Sequence, residues 1–423
     1  MILKEPIIQL KRHFSFLKEV LIYTLTAFGG PQVHLGMMNR IFVQKRKDLN
    51  EHELLDYFSF CQLLPGASST QLLGLIAYKR GGFLLSLITL LIWIIPAAIL
   101  MGMFSFYISD DTNKADIEKL FRFFPAMTVG FLVYTGWSMM KTKLKDIRVM
   151  GFIVFSASLS LLFFNHPWIF PILIVFGGIL NNFFLRTIVP INKTKHKRPN
   201  TIFLGLFILL FISLGILSET ARKQNWSSRF TFNLAENFYR FGSIVFGGGD
   251  VLLPMMLDQY VERPTNTHVQ ENNPNAIRLE KEEILIGYGL VKAIPGPVFS
   301  IGSYIGGIGL KKQGNQSQIL GCIIGTISLF LPGILLLFFF YPVWEYGKRY
   351  TVMQKAAEGV GWVAIGFIWA GSAYILMNSG IINNKTIFYK EIIILISIPL
   401  ILNYTRITSP IIVMSTLLLG AML

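Results

Sequence analysis

Apolar and polar positions along this chain separate into long blocks. Nine runs, at 83–107, 122–140, 148–164, 167–186, 201–218, 316–341, 354–378, 387–402 and 406–423, are nearly free of charge and separated by short polar loops. At 1.5 Å per residue such helices approach or exceed the roughly 30 Å of a bilayer's hydrocarbon core. Several are flanked by Trp, Tyr or basic residues, as membrane interfaces favour. The pattern predicts an all-α polytopic membrane protein with about 10 to 13 membrane segments.

The other apolar stretches are short and interrupted. "FGGPQVHLGMM" at 28–38 breaks an apolar run with two glycines and a proline, and "FGGGDVLLPMM" at 246–256 repeats the frame at an offset of 218. "QLLPGASST" at 62–70 matches "KAIPGPVFS" at 292–300 at an offset of 230, the added residues falling in the polar loop near 262–283. Pro96 in "IIPAA" matches Pro332 in "FLPGI", and "VGFL" at 129–132 matches "IGFI" at 365–368, both at an offset of 236. Ordered self-similarity of this kind marks a duplication. It predicts a repeat at 14–145, a connector at 146–225 holding three spans, a second repeat at 226–378 and a terminal pair of spans at 379–423. If the two broken elements of a repeat behave alike, each repeat crosses an even number of times. Three intervening spans then invert the second repeat relative to the first, with the broken helices discontinuous or re-entrant.

Charge supports that layout. The net charge of +15 comes from Lys and Arg in short loops rather than in one basic domain, so topology explains it and nucleic acid does not. With a cytoplasmic N-terminus and re-entrant broken elements, the inner loops collect Lys11, Arg12, Arg40, Lys45–Lys47, Lys79, Arg80, Lys141–Arg148, Arg186–Arg198 and Lys348–Lys355. The acidic loop at 109–119 and the polar loop near 270 fall outside, as do Arg222, Lys223, Lys311 and Lys312. Lys11, Arg12 and Lys18 ahead of an apolar run that ends at Ala27 also resemble a cleaved leader, but a cleavage site has no reason to recur at 246–248. Cys61 and Cys322 are two isolated cysteines in apolar surroundings, which supports neither a disulfide framework nor a cysteine metal site.

Irregular backbone at membrane depth survives only inside protein or beside a watery cavity. A break there exposes N–H groups at the next helix start, with a positive dipole end that suits an anion. Inverted repeats whose broken helices meet at the midplane are a recurring plan of secondary transporters. Four such starts follow Gly30, Gly66, Gly248 and Gly296, and the candidate substrate-binding positions are Gly29, Gly30, Pro31, Gln32, Pro65, Gly66, Ser68, Ser69 and Gln71 in the first repeat. In the second they are Gly247, Gly248, Gly249, Asp250, Lys292, Pro295, Gly296 and Ser300. Asp250 and Lys292 are charges at membrane depth, where charge is costly and functional by default. Lys292 suits an anion's counter-charge. Asp250 suits a proton carrier or a structural partner of Lys292, and His34 is the second proton-coupling candidate. Other signals are weak: "GYGLVK" at 287–292 lacks the phosphate-loop ending, the histidines lack metal spacing, and "GSYIGGIG" at 302–309 fits a helix-packing face. No Ser/His/Asp or Cys/His set is present, so neither an enzyme nor any metal or cofactor is expected.

The motifs "FGGPQVHLGMM", "QLLPGASSTQ" and "YKRGG", with second copies "FGGGDVLLPMM" and "IPGPVFS", resemble the chromate ion transporter family in its long, two-domain form. Ala67 stands where the family commonly has a second proline. The resemblance implies a bacterial plasma-membrane carrier moving chromate outward, as an antiporter using the proton gradient, with sulfate as analogue; a homodimer is a separate expectation. A passive anion channel, or a carrier of a different anion on the same fold, is the alternative.

Overall fold

A computed structural model describes residues 4–28, 31–108, 119–141, 146–163, 169–184, 199–246, 249–265, 273, 276–347, 351–378, 385–405 and 407–422. These residues form 16 α-helices, and no strand occurs among them. The nine apolar runs become the second arm of α4 (Ser68–Ile108), α5 (Phe124–Met140), α6 (Ile147–Leu162), α7 (Ile169–Phe184), α8 (Thr201–Lys223), α13 (Asn315–Gly347), α14 (Thr351–Asn378), α15 (Lys385–Tyr404) and α16 (Ser409–Met422). Among the described residues, four helices, in α4, α8, α13 and α14, are long and apolar enough by themselves to cross a membrane. α4 shows how one helix serves two environments. Leu85, Leu90, Trp93, Ala97 and Met101 are buried, while Leu84, Leu87, Leu91, Ile95 and Ile99 stay exposed, as a lipid-facing stripe requires.

The broken elements fold as hairpins. α1 (Lys4–Thr26) runs to the first break, and α2 (Pro31–Met38) with its π-helical extension Asn39–Lys45 runs back. The ends meet where Lys45 pairs with Glu19 at 2.7 Å and Arg46 Nη1 donates to the Ser15 carbonyl at 3.1 Å. α3 (Glu51–Leu63) and the first arm of α4 form the second hairpin. A capping box starts α3, with Glu53 N donating to Asn50 Oδ1 at 2.9 Å and Asn50 N to Glu53 Oε2 at 3.0 Å. Leu64 turns extended ahead of Pro65, which ends the helix. The hairpin closes at its base through Lys79 and Glu53, 2.6 Å apart. Gly81 and Gly82, the latter at φ 75°, then bend α4 into its long second arm.

The second half repeats each feature. α9 (Arg229–Ile244) leads to a break, and the 3-10 turn Gly249–Val251, α10 (Leu252–Leu257) and the π-helical Asp258–Glu262 return. Arg240 Nη2 reaches Gln259 Oε1 at 3.1 Å across this hairpin. α11 (Lys281–Ala293) opens with a capping box between Glu280 and Glu283 and stops before Pro295. The 3-10 turn Val298–Ser300 and α12 (Ile301–Leu310) return, closed by Lys311 on Glu283 at 2.5 Å. Gly314, at φ 95°, bends the chain into α13 as Gly82 does into the long arm of α4. Gly302 and Gly306 of α12 press against Gly325 and Gly321 of α13, where any Cβ would meet a carbonyl oxygen, so "GSYIGGIG" is a helix-packing face.

Contacts along α4 fix where the hairpins sit. Its long arm starts at the first-half base near residue 83 and passes Gly296 at Ala97. Farther on, Ser303 Oγ donates to the Ala98 carbonyl, and Gln318, near the start of α13, donates to the Ser105 carbonyl at 3.1 Å. α13 runs the complementary course, from the second-half base past Gly66 at Gly333 to Tyr341, whose hydroxyl lies 3.1 Å from that of Tyr57 on α3. The two sets of hairpin bases therefore occupy opposite ends of these long helices, and all the tips lie between. The outer helices are exchanged too. α5 packs on α11, α15 and α16, while α14 packs on α3, α6 and α7.

Candidate functional site

At the hairpin tips each half is completed by the other. Gly66, at φ 118°, donates its N–H to the Val245 carbonyl at 2.7 Å, and Gly296, at φ 132°, donates to the Ala27 carbonyl at 3.0 Å. Residues 27 and 245 are equivalent positions just ahead of the two FGG motifs, so the bonds are reciprocal. Glycine is required at both turns because positive φ and close approach coincide. A Cβ on Gly66 would lie 3.1 Å from Gly333 Cα, and one on Gly296 would lie 2.6 Å from Ala97 Cβ. Each tip thus wedges against the other half's long helix, one residue past its proline.

The charged residues sit beside these turns. Gly249 packs against Val298, which sets the Asp250 turn on the turn that ends in Ser300. Lys292, in the last turn of α11, places Nζ 2.5 Å from Asp250 Oδ1, and both side chains are 5% exposed. The Tyr288 hydroxyl donates to the same oxygen at 2.6 Å, and the ring of Tyr288 lies 4.9 Å beneath the Lys292 ammonium. One helical turn separates Tyr288 from Lys292, so a single face of α11 supplies both. A buried charge of this kind persists only when paired and hydrogen-bonded. The sequence had singled out Asp250 and Lys292 but not Tyr288. Its signal was a tyrosine where the first repeat carries Phe58.

The elements that meet at these turns carry buried polar atoms with no hydrogen-bond partner: Ser300 Oγ, Gln71 Oε1, the Tyr23 hydroxyl and both ring nitrogens of His34. The Ala27 carbonyl is near His34 without hydrogen-bond geometry, and His34 is within electrostatic reach of Lys292. His34 stands edge-on to Trp93 at 5.4 Å, and Trp93 stacks on Tyr23 at 4.9 Å and donates to Thr70 Oγ1 at 3.0 Å. Gln71 donates its amide to the carbonyls of Pro65 and Gly333 at 2.8 and 3.1 Å, stapling the first turn to α13. Ser68 and Ser69 are buried at the start of α4. Pro31 and Gln32 begin α2, Pro295 follows α11, and Gly29, Gly30, Gly247 and Gly248 lie outside the described residues. Gly66 and Gly296 thus join the two halves at the tips, with the Asp250–Lys292 pair on the second half's side. A cavity of about 540 Å³ at the second-half base is lined in part by Arg278, Lys311 and Lys312. No group of His, Cys, Asp and Glu able to hold a metal occurs among the described residues.

The profile described as "Chromate transporter" matches the chain over two regions, residues 14–181 and 232–422. An uncharacterized transporter of Methanocaldococcus jannaschii is 22% identical over 351 residues, covering 81% of this chain and 78% of its own. A probable chromate transport protein of Synechococcus elongatus is 21% identical over 350 residues, covering 82% and 80%. No solved structure matches the chain. With its two broken repeats, their reciprocal turns and a family match across most of its length, the chain is a multi-pass membrane protein that belongs to the chromate transporter family.

Proposed function

We propose that the protein is a secondary active carrier of a tetrahedral oxyanion, chromate with sulfate as analogue, in the bacterial plasma membrane, and that it draws on the proton gradient. The observation that carries this reading is the Asp250–Tyr288–Lys292 cluster at the junction of the hairpin tips, where a buried ammonium stands beside the first turns of broken helices. Convergent N–H groups plus a cation suit a tetrahedral dianion. The cavity at the second-half base supplies an electrostatic approach. The placement of the hairpin bases at opposite ends of α4 and α13 supports inverted repeats, with the N-terminus cytoplasmic. The packing of α6 and α7 on α14, and of α15 on α5 with α16 on α11, supports extending each repeat to include its terminal pair of spans.

Chromate flux in cells carrying the wild type or Lys292→Gln, matched for membrane expression, tests this. Flux is expected to fall about thirtyfold or more when this ammonium is neutralised, because truncating one partner of a buried hydrogen-bonded charge contact costs about 2–5 kcal/mol of binding. Unchanged flux removes Lys292 from the mechanism. Wild-type flux that ignores the proton gradient instead identifies a passive channel.

A further inference from the structure

The sense of coupling follows from how the Lys292 ammonium is occupied, and it rests on the carrier reading above. Lys292 Nζ is held by Asp250 Oδ1, and an incoming oxyanion competes with that carboxylate for one cation. The groups around Asp250 are few. From α11 come Tyr288 and Lys292, and the Val298–Ser300 turn brings only the neutral Ser300 hydroxyl. α10 carries no ionisable side chain. On α14, which packs against the Asp250 turn, Tyr374 is turned toward Glu262 and Asp258. From the first half, His34 lies within electrostatic range of Lys292 and makes no hydrogen bond to it. The positions equivalent to Asp250, Tyr288 and Lys292 in the first half are Gln32, Phe58 and Gln62, none of them charged.

One carboxylate therefore faces one ammonium, and the junction is neutral before substrate arrives. A dianion entering it leaves two uncompensated negative charges at membrane depth, where charge is most costly. A proton on Asp250 removes one of them and releases Lys292 to the anion. A proton on His34 acts with the same sign. Proton and anion thus strengthen each other's binding, and by linkage the effect is reciprocal.

We propose that oxyanion and proton load the Asp250–Tyr288–Lys292 site together, with Asp250 taking the proton, so that the species carried is one anion with one proton. For a dianion this loaded form bears one net negative charge. An inside-negative potential pushes it outward, whereas an inward pH gradient pulls it inward. Antiport of anion against proton needs a proton that weakens anion binding, and none of the groups just named has that sign.

The test uses the full-length protein in proteoliposomes holding a lumenal pH dye. Chromate is supplied outside at alkaline pH, where the free ion is fully deprotonated, with sulfate in parallel. The lumen is expected to acidify as anion enters, by one proton per anion, and apparent affinity to tighten about tenfold per unit fall in pH across the range where the site takes up its proton. Asp250→Asn should abolish both responses. A lumen that turns alkaline, anion entry without proton movement, or affinity that weakens as pH falls overturns co-loading. Loss of both responses in His34→Gln but not in Asp250→Asn overturns the assignment to Asp250. Absence of any anion flux with the wild type overturns the carrier reading itself, a different result from any of these.

Discussion

Glu53 and Glu283, the equivalent glutamates of the two halves, divide their carboxylates identically. In each, Oε2 accepts the backbone N–H that starts a helix and Oε1 holds the lysine at the end of the returning arm. About 20 Å away, one 13-residue helix further in, the halves part company. The second places Asp250, Tyr288 and Lys292 together, and the first places neutral side chains and the Tyr23–His34–Trp93 stack. The two halves thus share the parts that build a hairpin and differ at the tips.

The difference can be broken first at the charge pair. Lys292→Gln gives the second half the residue that the first half has at Gln62, and leaves Asp250 buried without its cation. Stability is expected to fall by about 3–5 kcal/mol, read as thermal unfolding in detergent. Adding Asp250→Gln should recover most of that stability and none of the transport, so the pair is distinguished from a purely structural one. A double variant that transports would mean the charges serve the fold alone.

The turns provide a second, smaller contrast. Gly296→Ala is expected to cost about 2–4 kcal/mol, because a left-handed backbone and a Cβ 2.6 Å from Ala97 coincide there. Gly66→Ala, with its nearest atoms at 3.1 Å, should cost about 1–2 kcal/mol. Equal unfolding temperatures for the two variants would remove the asymmetry. Next comes Tyr288→Phe, which restores the side chain of the first repeat and deletes one hydrogen bond to Asp250. A loss of about 1.5 kcal/mol is expected, with the anion affinity losing part of its pH dependence in a binding titration. The weakest contrast lies at the hairpin bases. Glu283→Gln should cost about 1 kcal/mol and Glu53→Gln less, because the Glu283 side chain is 15% exposed and that of Glu53 36%. The reverse order in a melting series would mean that burial does not set the strength of the clasps.

Much of this was legible from residue order. The spans were, because an apolar run flanked by basic residues leaves a helix few alternatives in lipid. Both turns were, since Pro65 and Pro295 stop a helix and Gly66 and Gly296 permit the backbone that follows. Asp250 and Lys292 stood out as charges in apolar surroundings. What stayed hidden was whatever depended on distance in space. The Glu53–Lys79 and Glu283–Lys311 clasps join residues 26 and 28 apart, and their charges read as ordinary loop charges until the hairpins close. Tyr288 sits in an apolar run that reads equally well as packing. The packing of α15 on α5 and of α6 and α7 on α14 was hidden for another reason: lipid-facing residues need only be apolar, so these helices carry no residue pattern that names their partners.

The reciprocal bonds at the tips also bear on how the protein is made. The N–H of Gly66 finds its acceptor on Val245, roughly 180 residues later in the chain. At about 5–20 residues per second, synthesis leaves that amide without its native partner for some 10 to 40 seconds. During that interval the second hairpin of the first half must satisfy its tip with water or another surface. Gly296 has no such wait, because Ala27 is in place before it is translated. Biogenesis is therefore ordered by the same two bonds that join the finished halves, and a defect at Val245 should surface as degradation of nascent chains before it registers as lost transport.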